Sequence, residues 1–111
     1  MRKTVWYVLL SVFALVLTGI AFLRYSEPLP PRVTLTWNAP ALRNGVTLAG
    51  YNVYRRTVDG DTFVKIADKV PASPYEDHLV TRGRKYVYVV TSVDNTGRES
   101  RFSADATVEI P

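Results

Sequence analysis

The chain has 111 residues, room for one ordinary domain, with 47% hydrophobic and 22% charged residues and a formal charge of +4. Cysteine is absent and histidine occurs once, which excludes a disulfide framework, thiolate metal sites, a cysteine nucleophile and any multi-histidine metal centre. Residues 28–111 hold 11 of the 14 Lys and Arg but also 9 of the 10 Asp and Glu, so only half of the +4 excess sits within them, which argues against a nucleic-acid partner.

Residues 1–4 are short and basic, and read as a cytoplasmic N-terminus. Residues 5–23 follow, opening at Val5 and closing at Leu23, without one charge. A helix of 19 residues covers about 28 Å, close to the roughly 30 Å hydrocarbon core of a bilayer. Trp6 and Tyr7 lie at one end and Tyr25 at the other, where amphipathic rings favour the headgroup level. The run therefore predicts a single transmembrane helix closed by Arg24, with membrane lipid as its partner. A cleaved signal peptide is the alternative, since Gly19-Ile20-Ala21 offers a small-x-small site after Ala21. The anchor is favoured on length, because signal-peptide apolar regions run about 7–15 residues. Arg2 and Lys3 against a lone Arg24 keep the N-terminus cytoplasmic. Under either reading the rest of the chain is extracytoplasmic, secreted if cleavage occurs. Residues 24–31 form a proline-rich linker, with Pro28, Pro30 and Pro31 favouring an extended spacer.

From Arg32 the period changes to two. Val33, Leu35 and Trp37 alternate with Arg32, Thr34 and Thr36, giving one apolar and one polar face. Asn44-Gly45 lies in the turn before a second strand, residues 51–56, and Asp59-Gly60-Asp61 turns the chain into a third at residues 63–66. A short strand around Tyr75 leads to a turn at Gly83. The longest strand is expected over residues 85–94, and the last near residues 104–110. About six short strands with no helical pattern after Leu23 predict an all-β antiparallel sandwich over residues 32–111.

The residues of these strands resemble a known family. Val33-Thr34-Leu35-Thr36-Trp37-Asn38-Ala39-Pro40 and Gly50-Tyr51-Asn52-Val53-Tyr54-Arg55 are similar to strands B and C of a fibronectin type III domain. Tyr75-Glu76-Asp77, Val80, Gly83 and Tyr86-Val87-Tyr88-Val89-Val90 resemble that family's E–F corner and strand F, and residues 93–103 its F–G turn. The resemblance implies an immunoglobulin-like pair of sheets with Val33, Leu35, Trp37, Tyr51, Val53, Tyr86, Tyr88 and Val90 in the core, and Tyr86 as a corner tyrosine. It also implies that Val87, Val89, Thr91 and Val93 point outward. The family's strand A has no obvious counterpart before Arg32, so strand A is expected to be short or missing, leaving an edge shielded by prolines or completed by a partner's strand.

Chemistry finds little purchase. His78 stands alone, no serine sits in a nucleophile elbow, and Glu76-Asp77 and Asp59-Gly60-Asp61 lack the geometry of an acid–base pair or a calcium loop. No catalytic residue, cofactor or metal is therefore expected. A contact face is better motivated: Tyr54 and Arg56 beside the outward Val87 and Val89 form an apolar patch rimmed by charge. The arginine-rich turns, Arg82, Arg84 and Lys85 at one end of strand F and Arg98 and Arg101 at the other, are solvated by default but suit anionic lipid or an acidic polymer. The expected function is a non-enzymatic, membrane-anchored extracytoplasmic module that contacts protein or glycan. The alternatives are a spacer or accessory subunit acting through its membrane helix, and a carbohydrate-binding accessory domain.

Overall fold

The computed structural model describes residues 7–12 and 29–111. Seven strands occur there: β1 (Tyr7–Val12), β2 (Arg32–Trp37), β3 (Leu48–Thr57), β4 (Val64–Val70), β5 (Tyr75–Asp77), β6 (Lys85–Asp94) and β7 (Ala106–Glu109). They make two antiparallel sheets, one ordered β1-β2-β5 and the other β4-β3-β6-β7. Over the described residues the chain is an all-β sandwich.

The alternation in β2 does what a period of two requires. Val33, Leu35 and Trp37 are buried while the residues between them are half-buried. Across the gap they meet Tyr51 and Val53 of β3 and Tyr86, Tyr88 and Val90 of β6, with Val80 and Ile110 closing the ends of the core. Trp37 and Tyr51 pack edge to face at 5.1 Å between centroids, a favoured geometry for two aromatic quadrupoles. Residues on β6 facing away from this core are also buried, so the central strand is covered on both sides. The Tyr86 hydroxyl accepts the Thr81 N–H at 3.0 Å and closes the corner before β6.

One end of the sandwich is held by charge. Arg55 Nη1 donates to Asp77 Oδ2 at 2.7 Å, and the Tyr88 hydroxyl donates to the same oxygen at 2.6 Å. Asp77 Oδ1 accepts the Leu79 N–H at 3.0 Å, and Arg55 also reaches the Leu79 carbonyl and lies 5.4 Å from the Tyr86 ring centroid. A buried carboxylate is tolerable only when its lone pairs are filled in this way. Burial, reinforced by Asp77 as acceptor, pushes the Tyr88 hydroxyl far above the ordinary phenol range.

Two expectations about the N-terminal part require correction. A helix was expected over residues 5–23, yet Tyr7–Val12 is a strand, paired antiparallel with β2 from Tyr7↔Trp37 to Val12↔Arg32. Val5, Trp6, Leu23 and Arg24 lie outside the described residues, as does the rest of the run. Among the described residues no helix is long and apolar enough to cross a membrane. Strand A was expected to be short or missing, but β1 takes that place with six residues. The physical reason is the open β2 edge: its N–H and C=O groups need partners, and a β-branched and aromatic stretch supplies them. Pro30 and Pro31 do not carry the pairing. Leu29 instead offers its carbonyl to Arg82 at 2.6 Å, which holds the segment before β2 against the turn before β6.

Candidate functional site

The β3–β6 register sets Asn52 opposite Thr91, Tyr54 opposite Val89 and Arg56 opposite Val87 on the face away from the core. Sequence alternation places these residues on one surface. The segment after the β6–β7 turn then folds over it. Ser100 N–H donates to Ser92 O at 2.8 Å and Ser103 N–H to Val90 O at 2.9 Å, while the two serine hydroxyls accept the Ser92 and Val90 N–H groups in return. This brings Phe102 onto the face, 5.1 Å between ring centroids from Tyr54 and 5.3 Å from Phe63. The Arg56 guanidinium lies 5.0 Å from the Phe63 centroid and donates to the carbonyls of Thr57, Val58 and Gly60.

The expected contact residues are therefore split. Tyr54 and Arg56 are half-buried members of a ring platform, but Val87 at 3% exposure and Val89 at 0% do not reach solvent. That part of the expected face is corrected: the valines do lie outside the inter-sheet core, but neighbouring side chains cover them. Phe102, 47% exposed, takes over as the open ring of the platform.

Glu99 stands beside the rings. Its Oε2 accepts from Asn52 Nδ2 at 3.0 Å, from Thr91 Oγ1 at 2.7 Å and from the Tyr54 hydroxyl. Partial burial alone would raise its pKa. The hydrogen bonds from Tyr54, Thr91 and Asn52, with the charge of Lys65, outweigh that and leave Glu99 below the ordinary carboxylate value. Burial first, and then the bond to Glu99, push the Tyr54 hydroxyl upward. Asn52 is buried and its Oδ1 also accepts the Lys69 N–H at 2.9 Å. Lys69 has φ of 50° at an irregular stretch of the β3–β4 pairing, so one amide side chain serves both that distortion and the carboxylate. Gly50 belongs to the same arrangement, since a Cβ there would lie 3.0 Å from the Lys69 backbone.

Beyond Glu99 the face opens into a cleft of about 890 Å³ between the loop after β2 and the β6–β7 turn. Arg43, Arg98, Arg101, Asp94, Glu99 and Ser100 contribute to its walls. The turn is built around Asp94. Its Oδ1 accepts from Thr96 N at 2.9 Å, Thr96 Oγ1 at 2.7 Å and Arg98 N at 2.9 Å. The Thr96 hydroxyl, with the Arg98 and Thr96 amides, holds the Asp94 carboxyl below its ordinary range. Asn95 and Thr47 exchange hydrogen bonds of 2.9 and 3.2 Å, joining the two walls.

The remaining candidates stay apart from this site. His78 is exposed, with Nε2 3.2 Å from Glu76 Oε1. Asp59 and Asp61 are exposed in their turn. Arg82, Arg84 and Lys85 are exposed at the other end of β6. Among the described residues no group of three or more acidic or histidine side chains is placed to hold a metal. Sequence reasoning missed Phe63, Phe102, Glu99 and Arg43. The one usable signal was Phe102, an aromatic residue in an otherwise polar and small-residue stretch.

No family model matches the chain. Among characterised proteins it is 44% identical over 80 residues to an amylopullulanase of Thermoanaerobacterium saccharolyticum, covering 72% of this chain. It is 37% identical over 90 residues to exoglucanase B of Cellulomonas fimi, covering 81% of this chain. It spans only 6% and 7% of those two enzymes, so the likeness is to one small part of each. Among solved structures it is similar to an Fn3-like protein from Clostridium thermocellum, with a TM-score of 0.61 and 38% identity over 72% of this chain and 77% of that one. That relative is matched over most of its own length, with the same sandwich: the chain belongs to the fibronectin type III-like family.

Proposed function

We propose that this chain is a non-catalytic accessory module of polysaccharide-processing machinery outside the cytoplasm, and that its outer β4-β3-β6-β7 face contacts glycan. One observation carries the reading: a half-exposed Phe102 supported by Tyr54 and Phe63, with Glu99 and Lys65 at its margin. A pyranose presents a face of C–H groups that packs on an aromatic ring, while its hydroxyls reach polar neighbours. Polar groups fixed in advance cost little ordering on binding, and Glu99 is fixed by three donors. Similar segments within an amylopullulanase and an exoglucanase support the glycan class over a protein partner.

The same proposal places the N-terminus in the cytoplasm and the sandwich beyond the membrane. The 19-residue uncharged run of residues 5–23 serves as anchor or as export signal. Anchoring in lipid calls for a helix there, since a single span must satisfy its own backbone groups, and Tyr7–Val12 can join one only by leaving its pairing with β2.

Retention of the full chain on insoluble starch, pullulan gel and cellulose tests the reading. Binding to at least one matrix is expected, with Phe102→Ala lowering affinity about 5–20-fold while the urea midpoint changes little. Absence of retention on all three and on acidic polysaccharide gels, or unaltered retention by the folded variant, overturns it.

A further inference from the structure

The cleft next to the platform has a chemistry that a neutral glucan does not use. Three guanidinium groups, from Arg43, Arg98 and Arg101, line it together with the carboxylates of Asp94 and Glu99. Both carboxylates already have internal work. Asp94 Oδ1 takes three donors of its own turn, and Asp94 Oδ2 lies 3.7 Å from Arg98 Nε. Glu99 Oε2 takes three donors from β3 and β6. Arg43 and Arg101 have no acidic partner among the described residues. The cleft thus pairs fixed, internally engaged acids with guanidinium groups facing solvent, and it joins the ring platform through Glu99. Arginine forks match the planar geometry of carboxylate and the oxygens of phosphate.

We infer that the cleft is a subsite for the anionic substituent of an acidic polysaccharide, whose sugar ring rests on Phe102. The inference rests on the glycan reading above and narrows it to carboxylate- or phosphate-bearing chains. Position in the fold argues against lipid headgroups as the anion. Leu29, just before β2, is tied to Arg82 in the turn before β6, whereas the cleft lies at the far end of that ten-residue strand. Ten residues of strand span roughly 33 Å. Were the residues before Leu29 to leave the sheet and enter lipid, Arg82, Arg84 and Lys85 would lie nearest the membrane and the cleft would face outward.

The test is titration of the full chain with polygalacturonate as the carboxylate probe, a phosphorylated dextran as the phosphate probe, and pullulan as the neutral control. Two variants are compared: Arg43→Gln/Arg98→Gln/Arg101→Gln in the cleft, and Arg84→Gln/Lys85→Gln at the opposite end. At least one acidic polymer is expected to bind, weakening as salt rises, with the cleft variant losing about tenfold or more and the opposite-end variant under about threefold. Equal losses in both variants mean attraction by overall charge and overturn the subsite. Pullulan binding as tight as the acidic polymers, unchanged by the cleft variant, overturns the subsite but leaves the glycan reading intact. Binding to none of the polymers overturns both. Partition onto phosphatidylserine vesicles is expected to be unaffected by the cleft substitutions, and a tenfold loss there assigns the arginines to lipid instead.

Discussion

Asp77 is the residue whose surroundings most constrain what can replace it. It is 3% exposed and collects Arg55, Tyr88 and the Leu79 amide. Removing the carboxylate leaves a guanidinium and a phenol facing each other inside the sandwich, and the cost of stranding a buried charge exceeds the worth of the pair itself. Asp77→Ala is expected to lower stability by about 3 kcal/mol in urea unfolding. Tyr88→Phe, which leaves the ion pair in place, should cost about 1 kcal/mol. Equal losses from the two would mean that packing, not charge, governs this end. Glu99 gives a different readout, because its pKa is depressed in the folded state. A carboxylate of that kind contributes stability that is fully present above its ordinary value of 4.5 and is lost as pH falls through the lower folded value. The wild type should therefore lose stability below about pH 4.5 more steeply than Glu99→Gln, and the gap between them should close in acid. A constant gap across pH 3–7 would mean that ionisation of Glu99 does not couple to folding.

At the scale of elements, legibility followed periodicity. The bounds of β2 and β6 were readable because alternation and a β-branched, aromatic run leave little choice. The third and fourth strands are longer than their sequence patterns suggested, since Leu48 pairs with Asp94 and Val70 with Tyr51 beyond backbone irregularities that carry no residue signature. The composition of the outer β3–β6 face was half legible. Alternation put Tyr54 and Arg56 on the right surface, and the same rule put Val87 and Val89 there without revealing that they are covered. Covering depends on where a distant segment lands, and residues 99–103 land there through backbone and serine hydrogen bonds to β6 rather than through any alternating pattern. Glu99 reads as one more charge in a turn until three donors converge on it. The cleft joins loops about fifty residues apart in sequence, a juxtaposition only topology makes.

For the molecule as a whole, the open question is which partner the apolar N-terminal run prefers. Hydropathy read that run as a helix because 19 uncharged residues match a bilayer, and periodicity could not reveal that β2 has an edge to offer. The two states exclude each other for Tyr7–Val12, since a backbone paired with β2 cannot also close helical hydrogen bonds. In water, pairing satisfies both strands at once. In hydrocarbon, the helix satisfies the run internally and about 0.8 kcal/mol per buried methylene favours it. The chain is free of cysteine, so a paired substitution reports the choice cleanly. Leu10 and Thr34 are Cα partners in the register, close enough for a disulfide when β1 is in place. With Leu10→Cys/Thr34→Cys, most of the full chain is expected to form the bond on mild oxidation in buffer. Reconstitution into bilayers before oxidation should lower the yield at least fivefold. Equal yields would show that the strand persists beside lipid and that the membrane, if it holds this protein, does so through other residues. Failure to crosslink in buffer would remove β1 from the sheet and return the edge of β2 to solvent or to another chain.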